Sequence, residues 1–131
     1  MALDPKIKTI VIDDMMTMRK IITKMLKSIG FTNITEADDG ATAWPLIEEA
    51  AKNGEPFEFI VSDWNMPKMS GLDLLIKIRA TEGISTVPFL MVTAEAEQSN
   101  VVKVVQAGVS NFVVKPFTPA TLKGKIAKIF E

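Results

Sequence analysis

The sequence predicts an α/β fold, a doubly wound parallel sheet with helices on both faces. Two patterns predict it: short, nearly continuous apolar segments alternate with segments of helical periodicity, and turn residues separate them. A third observation is size, since 131 residues with 47% hydrophobic side chains can bury one core. No linker or internal repeat divides the chain, so we expect a single domain over residues 1–131.

Five short segments rich in Val, Ile and Phe predict the strands. They span residues 7–12, 33–37, 57–62, 87–92 and 111–114. Helical periodicity fills the intervals: apolar residues recur in steps of three and four from Met18 to Ile29, and Gly30 ends that segment. The predicted helices span residues 18–29, 41–51, 71–80 and 98–107, and a fifth follows Thr118.

Helix-end signals support two of these helices, and one residue conflicts with a third. Ser70 and Asp73 resemble a capping box, and Thr118 followed by Pro119 is typical of an N-cap and a first-turn proline. Pro45 lies inside the second predicted helix, where it removes a backbone hydrogen bond. We therefore expect that helix either to begin late or to be kinked.

The composition excludes several kinds of chemistry. The chain has no Cys, His or Tyr, which excludes a disulfide framework, a Cys/His zinc site, a Cys–His nucleophile and a Ser–His–Asp triad. With 15 basic and 16 acidic side chains the net charge is −1, so we expect no binding to nucleic acid or to an anionic membrane. No signal peptide or membrane-spanning run is visible, and we expect a cytoplasmic protein.

Polar residues follow four of the predicted strands. Asp13 and Asp14 follow the first strand, Asp63 the third, Thr93 the fourth and Lys115 the fifth. Because the carboxyl ends of parallel strands open onto one edge of the sheet, we expect these five residues to converge on one crevice.

This set of residues favours phosphoryl transfer. Three carboxylates and one ammonium leave an excess of negative charge, which a Mg²⁺ ion with its preference for oxygen ligands would offset. Asp63 then serves as the nucleophile that forms an acyl phosphate, and Lys115 and Thr93 contact the phosphoryl oxygens. Taken singly, Asp14 also fits a helix cap, Thr93 a turn hydroxyl and Lys115 a solvated charge; their joint occurrence favours the functional interpretation.

Four segments carry a family resemblance. They are residues 11–14 (VIDD), 62–71 (SDWNMPKMSG), 91–95 (MVTAE) and 114–117 (VKPF). Together they resemble the receiver domain of two-component response regulators, over essentially the whole chain. The resemblance implies a flavodoxin-like receiver fold with five parallel strands in the order 2-1-3-4-5. It also implies a phosphoacceptor in bacterial chemotaxis.

The resemblance implies roles for the site residues. Asp63 would accept a phosphoryl group from a phosphohistidine on a partner kinase, and the domain would lose it again by autodephosphorylation rather than act as a dedicated enzyme. Mg²⁺ would be held by Asp14, Asp63 and the backbone carbonyl of Asn65, with Asp13 in the outer acidic shell. Asn65 and Glu95 would tune access of the hydrolytic water.

The resemblance also implies a conformational switch. Lys115 and Thr93 would contact the phosphoryl oxygens, and the peptide bond between Lys115 and Pro116 would be cis. Thr93 would move toward the phosphoryl group and the ring of Phe112 would turn inward. The face formed by the fourth helix, fifth strand and fifth helix would change in response.

Partners follow from the same resemblance. It implies a histidine kinase as donor, the flagellar motor switch protein as target and a phosphatase as a further candidate partner. Glu97 and Gln98 stand where related chemotaxis regulators tend to be basic, and Phe112 where they often carry Tyr. A phosphate sink, or a regulator of a target other than the motor, is therefore the alternative. No self-complementary apolar seam is visible, and we expect a monomer.

Two apolar features have no assigned role. Met15 and Met16 follow the acid pair and either narrow access to the crevice or pack locally. The valines of the fourth helix spread over an arc of about 160°, wider than a one-sided core stripe, so we expect at least one to be exposed, either as scattered surface apolarity or as the edge of a partner-binding groove. These valines are Val101, Val102, Val104 and Val105.

Two other functions on a similar sheet fit the residues less well. An aspartate-dependent phosphatase of the haloacid dehalogenase type uses a second acid two residues after the nucleophile, and Asn65 in that position cannot transfer protons. A flavin-binding electron carrier needs a phosphate-binding loop after the first strand, where Asp13 and Asp14 would repel phosphate.

Overall fold

The structure is a computed structural model that describes residues 4–94 and 98–131, with the backbone alone for residues 98–100. Strands and helices alternate along these ranges. The strands are β1 (Thr9–Ile12), β2 (Ile34–Ala37), β3 (Phe59–Asp63), β4 (Phe89–Thr93) and β5 (Asn111–Val114). The helices are α1 (Met16–Ile29), α2 (Gly40–Lys52), α3 (Gly71–Arg79), α4 (Gln98–Gln106) and α5 (Pro119–Ile129). No helix in the described ranges is long and apolar enough to cross a membrane.

The strands form one parallel sheet in the order β2-β1-β3-β4-β5, which confirms the expected fold. Every residue of β1, β3 and β4 is buried, whereas the edge strands β2 and β5 are partly exposed. This burial explains why the central segments are continuously apolar. The strand order reverses between β1 and β3, so the carboxyl ends of these two strands border the crevice where ligands bind in such sheets.

Helices cover both faces of the sheet. Successive side chains of a strand point to opposite faces, and accordingly Ile10 and Ile12 pack into one core while Val11 packs into the other. The first core contains buried residues of α2, α3 and α4, and the second contains Leu26 of α1 and Ile126 of α5. The predicted two-sided packing is confirmed.

The strand bounds differ slightly from the expected ones. Three strands begin two residues later than predicted because pairing with their neighbours starts at Thr9, Phe59 and Phe89. The predicted helix caps are confirmed: Ser70 Oγ accepts a hydrogen bond from the Asp73 N–H at 3.1 Å. In α5, Thr118 caps the helix and Pro119 opens it.

The structure rejects a late start for the second helix. Helix α2 begins at Gly40 and contains Pro45 in its interior. Its start is fixed by Asp39, whose side chain accepts a hydrogen bond from the Ala41 N–H at 2.9 Å. Because this cap satisfies the first turn, the helix forms ahead of the proline at the cost of one backbone hydrogen bond.

Gly124 provides a test of helix energetics in α5. A Cβ at this position would meet nothing within 4 Å, and glycine inside a helix is less favourable than alanine by about 1 kcal/mol. We expect Gly124→Ala to raise the free energy of unfolding by about 0.5–1 kcal/mol, measured by urea denaturation. The matched control is Gly71→Ala, where a Cβ would overlap the carbonyl oxygen of Asp63 and destabilise the fold. Effects of the same sign at both glycines would contradict this account.

Candidate functional site

The five residues that follow the predicted strands converge at the carboxyl edge of the sheet. Carboxylate oxygens of Asp13, Asp14 and Asp63 lie within 4.8 Å of one another. The Lys115 Nζ lies 3.3 Å from Asp63 Oδ1 and 3.4 Å from Asp13 Oδ2. Thr93 ends β4, the strand next to β3. The expected convergence of these residues is therefore present.

The backbone around β1 determines which acids are buried. Asp13 is fully buried and Asp14 is exposed. The Asp13 N–H donates to the Ala37 carbonyl at 3.1 Å, and its Oδ1 accepts from the Met15 N–H at 2.9 Å. Met15 is the N-cap residue of α1 and its side chain makes no capping bond. The alternative interpretation of Asp14 as the helix cap is therefore wrong.

Burial and repulsion make Asp63 harder to ionise. Removal of the Asp63 carboxyl from water raises its pKa above the ordinary value, and the negative charge of Asp13 raises it further. The Lys115 ammonium and the Trp64 N–H lower the pKa but do not cancel these effects. One lysine thus compensates the acid cluster only in part, which leaves a site suited to a further cation.

Backbone hydrogen bonds join the ends of β3, β4 and β5. The Trp64 N–H donates to the Val92 carbonyl at 3.0 Å, and the Lys115 N–H donates to the Thr93 carbonyl at 2.7 Å. Thr93 itself is buried. The peptide bond between Lys115 and Pro116 is cis, as the resemblance implied. These contacts fix where the side chains of Asp63, Thr93 and Lys115 leave the sheet.

The loop after β3 spans residues 64–70 and includes Asn65, which is exposed. The Gly71 N–H donates a hydrogen bond to the Trp64 carbonyl at 2.7 Å, which closes the loop, and Met66 within the loop is buried in the first core. A side chain at Gly71 would overlap the Asp63 carbonyl. The loop therefore runs close to the strand end that carries Asp63.

Asp39 holds this loop, and the sequence did not reveal that role. Besides capping α2, its carboxylate accepts hydrogen bonds from the Lys68 N–H at 3.0 Å and the Met69 N–H at 2.8 Å. Burial alone would raise the pKa of the Asp39 carboxyl, but the three N–H donors and the Lys68 charge lower it below the ordinary value. An acid before a helix predicts a cap, whereas the bonds to a loop 29 and 30 residues away have no sequence signal.

The residues assigned to switching lie on α4, β5 and α5. Phe112 in β5 is half-buried, and the Lys125 Nζ of α5 lies 5.2 Å from its ring centroid. In α4, Val102 is 44% exposed and Val105 58% exposed, while Val104 is buried. The prediction of at least one exposed valine is confirmed.

Two groups of residues singled out in the sequence remain: the polar residues after β4 and the two methionines after the acid pair. Glu95 and Glu97 lie outside the described residues, as does the side chain of Gln98. Met15 and Met16 are 62% and 64% exposed. Both methionines are thus largely exposed to solvent next to the acid pair, and neither is buried in the core.

Comparisons with known proteins identify relatives over nearly the whole chain. Residues 9–127 match the family model of the response regulator receiver domain. The chain is 50% identical to chemotaxis protein CheY-3 of Vibrio cholerae serotype O1 over 129 residues, which cover 98% of this chain and 95% of that protein.

Solved structures agree with this similarity. The structure of the chemotaxis response regulator CheY4 of Vibrio cholerae superposes with a TM-score of 0.83 at 27% identity and covers 95% of this chain and 98% of that one. The receiver domain of a sensor histidine kinase from Pseudomonas aeruginosa PAO1 has a TM-score of 0.81 at 27% identity, covering 96% and 99%. That structure has a magnesium ion coordinated in its active site cleft.

Asp39→Asn tests the role of the loop contact. We expect it to lower the free energy of unfolding by about 1–3 kcal/mol at pH 7, because the ionised carboxylate, itself buried, accepts hydrogen bonds from three backbone N–H groups. Since the native pKa of Asp39 is lowered, this stabilisation is present above about pH 4 and is lost as the pH falls through the native pKa. Urea unfolding at several pH values measures it. The control Asp38→Asn removes the same charge from an exposed neighbour, and an equal loss in both variants would refute the contact.

Proposed function

The chain belongs to the response regulator receiver domain family, and from this premise we propose that it is a phosphoacceptor switch in bacterial chemotaxis. Asp63 takes a phosphoryl group from a phosphohistidine on a separate kinase, since this chain contains no His. The observation that carries the proposal is the convergence of three carboxylates within 4.8 Å beside the Lys115 ammonium.

The donor set fits a Mg²⁺ ion. The acid cluster offers oxygen ligands alone, and Mg²⁺ binds through one or two carboxylates while it keeps several waters. Asp14 and Asp63, the backbone carbonyl of Asn65 and the outer acid Asp13 would hold the ion. When bound, Mg²⁺ neutralises carboxylate charge and polarises a phosphoryl oxygen.

Residues of the chain carry out the other steps of phosphoryl transfer and hydrolysis. A carboxylate oxygen of Asp63 attacks phosphorus, the new oxygen–phosphorus bond forms and the bond from phosphorus to the donor imidazole nitrogen breaks. Lys115, already 3.3 Å from Asp63 Oδ1, donates a hydrogen bond to one phosphoryl oxygen, and the Thr93 hydroxyl donates to another. Water later hydrolyses the acyl phosphate, with Asn65 and Glu95 tuning its access.

The output surface combines apolar and basic groups. Val102 and Val105 are exposed on α4, and α5 contains three lysines and no acidic residue. We propose the flagellar motor switch protein as the target of this surface, because the curated relative is a chemotaxis protein. Phe112, between these helices in β5, reports the phosphorylation state. The alternative is a phosphate sink or a regulator of a non-motor target, to which Glu97 and Gln98 point.

Intact mass spectrometry tests the phosphoacceptor. Incubation with acetyl phosphate and Mg²⁺ should add the mass of one phosphoryl group to the wild type and none to Asp63→Asn, because that variant lacks the nucleophilic oxygen pair. Chelation of Mg²⁺ should abolish the adduct. Asp73→Asn, a matched change at an exposed acid of α3, should label normally. An unlabelled wild type, or an adduct that survives Asp63→Asn, overturns the proposal.

Peptide binding separates the two candidate targets. A peptide from a flagellar motor switch protein, followed by fluorescence anisotropy, should bind the phosphorylated chain about tenfold more tightly than the unphosphorylated one, a coupling of about 1.4 kcal/mol. Val105→Ser should weaken this binding, whereas Ile76→Ser, at a residue of α3 that is 51% exposed, should not. Absence of binding in both states would favour the alternative, a phosphate sink or a regulator of a non-motor target.

A further inference from the structure

An arginine of α1 contacts the backbone of the acid pair. The Arg19 Nη1 donates a hydrogen bond to the carbonyl oxygen of Asp13 at 2.8 Å. Its side chain is only 15% exposed, although the residue lies on a surface helix. This carbonyl belongs to the peptide group between Asp13 and Asp14, so the guanidinium constrains the orientation of that peptide group.

The guanidinium is itself held from the neighbouring strand. Arg19 Nε lies 3.0 Å from Oε1 of Glu36 in β2, and the other oxygen of Glu36 lies 2.9 Å from Lys20 Nζ. Burial would raise the pKa of the Glu36 carboxyl, but the hydrogen bonds and charges of Lys20 and Arg19 lower it below its ordinary value. Glu36 is therefore a charged partner that fixes the orientation of Arg19.

Other hydrogen bonds hold the same turn. Besides the bonds of Asp13 to Ala37 and Met15 described above, the Arg19 N–H donates to the Met15 carbonyl at 2.9 Å. The backbone on both sides of Asp14 is thus fixed, while the Asp14 residue is exposed. The direction in which the Asp14 carboxylate leaves the backbone follows from this turn.

We propose that Arg19 is a positioning residue for the divalent cation site: through the Asp13 carbonyl it holds the acid pair in the geometry that binds the ion. This inference rests on the proposed function and deepens it. Groups that orient metal ligands without touching the metal commonly change affinity by 10- to 100-fold when they are removed.

If Arg19 acted only through its charge, its removal would change Mg²⁺ affinity in the opposite direction from that expected for a positioning residue, which makes the proposal testable. A guanidinium near the acid cluster repels an incoming cation, so removal of its charge alone would tighten Mg²⁺ binding. Loss of positioning would weaken it. Lys20 is the matched control, because it contacts the same Glu36 carboxylate and carries the same charge, while its only ion-pair partner among the described residues is Glu36.

The experiment is a calorimetric titration of the protein with MgCl₂ without a phosphoryl donor. We expect Arg19→Gln to weaken Mg²⁺ binding about tenfold and Lys20→Gln to leave it unchanged or slightly tighter. Amide exchange of the metal-free protein should be faster at Met15 in Arg19→Gln alone, because the turn is no longer held. Equal or tighter Mg²⁺ binding by Arg19→Gln overturns the inference.

Arg19→Lys covers the case in which Arg19→Gln does not fold. Lysine keeps the charge but has one nitrogen, which cannot serve the Asp13 carbonyl and Glu36 in the geometry of a guanidinium. We expect weaker Mg²⁺ binding than in wild type, and unchanged affinity would overturn the positioning role. A wild type that binds no Mg²⁺ would instead refute the proposed function, so the two failures are distinguishable.

Discussion

The ammonium of Lys115 between two buried carboxylates is the interaction on which the site depends. Buried carboxylates are costly without a partner, and Lys115 lies 3.3 Å from Asp63 and 3.4 Å from Asp13. The sheet makes this contact possible. Strands lie about 4.8 Å apart, and β4 separates β3 from β5, so only a long side chain can reach from the end of β5 to the acids. The strand order therefore requires a long side chain at position 115.

The fold and the centre of the site could be predicted because their signals are local. Buried parallel strands must be apolar, and ligands meet at their carboxyl ends; these two rules suffice to bring Asp13, Asp63 and Lys115 together. Asp39 and Arg19 could not be predicted in the same way. Both act on backbone groups of other segments, and a backbone carbonyl or N–H leaves no trace in residue type. For Pro45 a local signal was present but did not decide the structure. Tertiary packing and a good N-cap keep this residue inside α2 although proline disfavours helix interiors.

Helix α4 differs from the other helices in how it is held. Val104 is its one fully buried apolar residue among those described, and Val102 and Val105 face solvent. Its carboxyl end is fixed by Arg79 of α3, whose Nε donates a hydrogen bond to the Gly108 carbonyl at 2.8 Å. The Nη1 of the same guanidinium donates to the Val87 carbonyl at 2.7 Å. Elements with few buried contacts have the lowest local stability. The helix assigned to output in the proposed function is thus anchored at its carboxyl end, and residues 101–106, the part whose side chains are described, contribute little buried apolar surface.

The charge of the site explains why its acids differ in exposure. In the proposed function, phosphorylation replaces the single negative charge of the Asp63 carboxylate with about two on the acyl phosphate, which Lys115 alone does not balance. A second cation must enter and retain part of its hydration. Complete burial of all three acids would close that path, whereas complete exposure would weaken every electrostatic interaction through solvent screening. Asp13 and Asp63 are buried while Asp14 is exposed, so the cluster combines strong local fields with access from solvent, and Arg19 contacts the peptide that joins the buried Asp13 to the exposed Asp14.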